Sequence, residues 1–174
     1  MNPSNNNNLN TPVAMFEKCV REARRSYLSK EHFQSVDSFY NFAITAHSLR
    51  DWLIKMGIDK SLVHDKFNSY DLLVYCKDIA NGIKHFGLDN KKVSSVVSVE
   101  SFETTLAAIT IDNEKFPNAD AKFINTSFVL DNNVEITPFN FFFKSLSALN
   151  EIFIHFNIPV SNNCNPALFC TEKI

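Results

Sequence analysis

The spacing of apolar residues changes once along this chain, near residue 93, and that change limits what it can fold into. Before it, apolar side chains recur every three or four positions, the repeat of a helix with one buried face. Phe42, Ala46, Leu49, Leu53 and Met56 form the clearest such stripe. After it, Phe102, Thr104, Leu106, Ala108 and Thr110 alternate with their neighbours, as a half-buried strand requires. A helical first half followed by strands defines an α+β chain rather than alternating βαβ units.

The punctuation fills in the elements. Thr11-Pro12 opens a first helix running to about Leu28, with Val13, Phe16, Val20, Ala23 and Tyr27 on one face. Ser35 or Asp37 caps a second helix that reaches Met56 and stops at Gly57. A short helical piece lies around residues 61–64, and a longer helix covers roughly Phe67 to Phe86, with Leu72, Cys76, Ile79, Ile83 and Phe86 inward and Gly87 ending it. Strand patterning spans Val93 to Asp112. Phe123 to Leu130 and Val134 to Ile136 flank Asp131-Asn132-Asn133, which reads as a β-hairpin because Asn and Asp tolerate left-handed turn angles. Thr137-Pro138 starts a last helix reaching Asn157, apolar nearly all round and so placed between bundle and sheet; Pro159 ends it. The expected architecture is an N-terminal antiparallel helical bundle, a small antiparallel sheet with a hairpin, and a C-terminal apolar helix. Residues 1–10 read as a disordered lead-in, 11–157 as one domain, and 158–174 as an irregular tail.

Seventeen Phe against one Trp and four Tyr point to a dry core rather than a base-stacking surface. Charge is uneven: residues 1–92 carry thirteen basic and ten acidic side chains (+3), and residues 93–174 four and nine (−5), which gives the net −2. Neither half has the dense basic stripe of a strong phosphate binder. Lys18, Arg21, Arg24 and Arg25 come closest, but Glu17 and Glu22 stand beside them, so they read as a solvated helix face. No run of apolar residues is long enough to span a membrane, and the polar, Asn-rich start is not a secretory leader. Cys19, Cys76, Cys164 and Cys170 have no zinc-ligand spacing, which predicts no metal, no cofactor, and reduced thiols in a cytoplasmic protein.

Two helical segments hold the residues that can do chemistry. Asp78, Asn81 and His85 fall within about 60° of one helix face, with Lys77 and Lys84 beside them. The plain reading is the water-facing side of an amphipathic helix; Gly82 and Ala80 suggest instead that another helix or chain approaches there. On the preceding helix, His47 and Asp51 form an i,i+4 pair beside Arg50 and Trp52, either a surface ion pair or a carboxylate orienting an imidazole.

The string Ala80-Asn81-Gly82-Ile83-Lys84-His85 resembles a degenerate HEPN motif, in which an Arg and a polar residue are followed by three variable residues and a His. Asn81 and His85 match its polar and His positions; Ala80 stands where the motif has Arg. The pattern Asp51-Trp52, then Cys76, Asp78, Asn81 and Lys84-His85, is also similar to bacterial helical proteins, some of them phage- or defence-associated. The likeness covers about residues 33–88. It implies a homodimer that cleaves RNA without a metal, with His85 as the base and Lys84 or Arg50 in place of the missing Arg. The residues of interest are therefore His85, Asn81, Lys84, His47, Arg50, Asp51 and Asp78. The alternative is a non-catalytic module for homodimerisation or protein interaction, and a small-molecule sensor with a pocket between bundle and sheet is a third class.

Overall fold

The computed structural model describes residues 10–84, 96–106, 121–130 and 132–171. Its order is α1 (Pro12–Tyr27), α2 (His32–Lys55), α3 (Lys60–Asn68), α4 (Asp71–Lys84), β1 (Val96–Leu106), β2 (Ala121–Leu130), β3 (Glu135–Ile136) and α5 (Pro138–His155), then two 3₁₀ turns, Asn162–Cys164 and Pro166–Cys170. The α+β class and its arrangement hold: helices first, a three-stranded antiparallel sheet in the order β1-β2-β3, and an apolar helix last.

Local chemistry explains most boundaries. Thr11 accepts the Ala14 N–H at 3.1 Å, and Pro12 follows as the first residue of α1. Gly57, at φ +94°, ends the turn after α2 where an L side chain would be strained. Asp59 caps α3 by accepting the N–H groups of Ser61 and Leu62 and the hydroxyl of Ser61, and these bonds, the hydroxyl's first, hold its carboxyl below the usual range. The hairpin turns at Asn133, φ 62°, so Val129 pairs with Glu135 and Phe128 with Ile136. Of the strand expected over Val93 to Asp112, Val96–Leu106 is present, and the remainder lies outside the described residues.

Two expectations differ. The second helix begins at His32, not beyond Ser35, and its first turn has no side-chain cap. Ser35 is fully buried instead. Its Oγ lies 2.8 Å from Thr126 Oγ1, 3.1 Å from the Ile124 carbonyl and 3.2 Å from that of Ser26, tying both helices to β2. Ile124 N–H also donates to the Ser29 carbonyl at 2.9 Å, so the α1–α2 connection pairs with the sheet. The helix expected over Phe67–Phe86 is two: α3 stops at Asn68, and α4 starts at Asp71.

The core is a Phe cluster. Phe39 and Phe42 of α2, Phe128 of β2, and Phe141 and Phe142 of α5 are all fully buried. Phe128 meets Phe141 edge-on at 4.9 Å, and Phe42 meets Phe142 at 5.0 Å. Such pairs contribute roughly 0.5–1.5 kcal/mol beyond the area they bury. Because Phe141 and Phe142 are consecutive, one turn of α5 reaches both helices and sheet. The helix is not covered all round, however: Phe139 and Phe143 stay 44% and 40% exposed, and Ile154 is exposed too. The segment after α5 packs inward, with Ile158, Cys164 and Phe169 buried.

Candidate functional site

The motif helix is α4, which packs against α2, so the two groups of candidate residues stand on neighbouring helices. The sequence places Asp78 on a water-facing arc; its exposure is only 4%, and Lys77 Nζ lies 3.9 Å from its Oδ1. Asp78 is therefore not on a solvated back of the helix. α4 is enclosed on several sides, through Leu73, Cys76, Ile79, Ala80 and Asp78. An ionisable group is rarely buried unless partners hold it, so Asp78 is a built part of this helix.

Ala80 is 1% exposed. Ala80 thus faces the interior of this chain, where a small residue fits. Asn81 and Gly82 are half-buried, and Lys84 is the last residue of α4. His85 lies outside the described residues.

On α2, His47 is half-buried and Asp51 exposed. Arg50 keeps 23% of its side chain exposed, and its Nε is enclosed without a hydrogen bond; Asp51 Oδ1 lies 3.7 Å away. That distance is beyond hydrogen-bond range, so the pair is electrostatic only. Arg50 falls on the same helical sector as Phe39 and Ala43, which explains why a guanidinium stem is drawn inward. Arg50–Asp51 and Lys77–Asp78 both join sequence neighbours within one helix. Trp52 is half-buried, an edge aromatic with Lys55 Nζ 6.0 Å from its ring centre.

The buried thiols are no alternative nucleophiles. All four cysteines are free, and Cys19, Cys76 and Cys164 are buried. Burial pushes the Cys76 thiol up to about 12 and raises Cys19 and Cys164 as well. Among the described residues, no cluster of His, Cys, Asp and Glu could hold a metal ion, and no helix is long and apolar enough to cross a membrane.

A second locus escaped the sequence reading. Glu17, Val20, Arg21 and Arg24 share one face of α1 and form one wall of an open groove of about 480 Å³, completed by Asn163, Leu168 and Thr171. The arginines were visible as a basic cluster. Their opposite wall was not, because it comes from 3₁₀ turns in a stretch with no periodic signal.

Compared with protein-family models, with curated proteins and with solved structures, the chain matches none.

Proposed function

We propose that this chain is a non-catalytic protein-interaction module whose motif helix serves structure rather than RNA cleavage. The single observation that supports this reading is Ala80: a buried alanine occupies the position at which a HEPN-type ribonuclease needs its phosphate-binding Arg. A second feature fits it. Phe139 and Phe143 stack at 5.8 Å and 7° on the exposed side of α5, with Tyr27 and Phe169 beside Phe139. Exposed paired aromatics are the type of anchor that protein interfaces use. The occupant proposed is a second copy of the chain, meeting through the same patch on both protomers.

A metal-independent ribonuclease of bacterial or phage defence is the second reading. The position of Arg50 favours it: a guanidinium with an unbonded Nε on the helix packed against α4 could supply the cation that Ala80 lacks.

One pair of measurements separates the two. Incubated with RNA in EDTA, the wild type is expected to leave the substrate intact; cleavage lost in both His85→Ala and Arg50→Gln would establish the ribonuclease instead. In sedimentation, the wild type is expected to dimerise with rising concentration, and Phe139→Ser/Phe143→Ser to remain monomeric. A monomeric wild type removes the homodimer.

A further inference from the structure

The groove on α1 combines charge, an apolar lining and a defined volume, and none of its residues lies on α4 or α5. Arg21 and Arg24 are three residues apart, so their side chains are neighbours on the helix surface. Arg21 lies 3.9 Å from Glu17. The Glu17 carboxylate is further occupied from the opposite wall: Ser161 Oγ donates to it at 2.5 Å and Asn163 Nδ2 at 3.5 Å. Arg24 is half-buried, and no carboxylate among the described residues lies within ion-pair distance of its guanidinium. Among the described lining residues, two cations and one anion leave one positive charge, on Arg24. Val20 and Leu168 line the same space with apolar surface.

We propose that this groove is a binding site for a monoanionic carboxylate carried on an apolar body. The guanidinium fork of Arg24 matches a carboxylate in two parallel hydrogen bonds. With Arg21 set against Glu17, the single remaining cation matches one negative charge and leaves the second charge of a dianion such as a phosphate monoester uncompensated. The volume falls within the range of about 300–1,000 Å³ usual for small-ligand sites, and an apolar lining with a few convergent polar groups is their usual make-up. The carboxylate can come from a free organic acid or from the C-terminus of a peptide. The proposal goes beyond the interaction reading and stands whether or not the chain dimerises or cleaves RNA.

The test is an amide-shift titration of the full chain by NMR at neutral pH, with 3-phenylpropionate, the neutral 3-phenylpropan-1-ol and phenyl phosphate as probes. Saturable shifts confined to residues 17–24 and 161–171 are expected with the propionate, weaker ones with the phosphate, and none with the alcohol. Arg24→Gln is expected to weaken binding about tenfold or more, the effect of losing a charge-assisted pair. Its melting temperature should stay near wild type, since among the described residues Arg24 has no ion pair to lose. Leu168→Glu provides a second variant, in which a new negative charge in the wall should abolish binding. Acetylated Ala-Ala-Phe with a free or an amidated C-terminus separates the two sources. Tighter binding of the free peptide than of the propionate assigns the site to peptide ends, and the reverse assigns it to free acids. Equal shifts from alcohol and acid, no saturation by any carboxylate, or unchanged affinity in Arg24→Gln would overturn the proposal.

Discussion

Cys76 makes no contact with water, and neither does Cys19. Each sits where an ionised sulfur would be poorly solvated, so burial raises both thiols, Cys76 to about 12. Ser145's hydroxyl, next to Cys76, pulls the other way without offsetting the burial. The consequence for stability has a definite sign. An unfolded thiol titrates near about 8.5, so above that pH the unfolded chain loses protons that the folded chain retains. The thiol contribution is fully present below about 8.5 and is lost as the pH climbs toward about 12. Unfolding by urea at pH about 7 and about 9.5 should show lower stability at the higher pH, with part of that dependence absent in Cys76→Ala. A flat profile shared by both proteins would contradict the burial argument. Ellman's reagent provides an independent reading, with the half-buried Cys170 reacting in the native state and Cys19 and Cys76 only after unfolding.

The elements were legible where a residue has one physical job. Thr137 and Pro138 could only start a helix, and Gly57 could only stop one, so those boundaries match the structure. Ser35 looks like a cap because serine oxygen satisfies helix N–H groups, but it satisfies groups distant in sequence, at Ile124 and Thr126. Asp78 was misplaced for a related reason. A helix with one apolar stripe predicts a wet opposite face, whereas α4 is enclosed on several sides. Gly57 permits a clean test of element chemistry, since an added Cβ there would meet nothing within 4 Å. Gly57→Ala should therefore cost only the backbone term, about 1–2 kcal/mol for a left-handed L-residue, with no loss from collision. Denaturant midpoints would show it. A neutral substitution would mean that the turn after α2 shifts to another conformation at no cost.

Across the whole molecule, the part least legible in the sequence is the segment after Asn157, and it forms one wall of the proposed carboxylate groove. Its sequence has no period, only turn formers such as Asn165-Pro166, so nothing local reveals that it returns to the core. The anchor is Phe169, fully buried, with Tyr27 at 5.1 Å, Phe139 at 5.6 Å and Phe142 at 5.7 Å around its ring. Those neighbours belong to the end of α1 and the start of α5. The segment therefore holds two helices that are far apart in sequence, while its Leu168 and Thr171 face the groove. Phe169→Ala should cost about 3–5 kcal/mol, the usual range for emptying a buried aromatic site. Because overall stability of a domain is only about 5–15 kcal/mol, this loss is large enough to lower the melting temperature visibly. It should also do what a change in α2 would not: loosen the groove, so that amide exchange quickens first at residues 161–171 and along the exposed face of α1. If Phe169→Ala instead melts the chain uniformly, with no local opening beforehand, the C-terminal turns are part of one cooperative core and not a separately fastened wall.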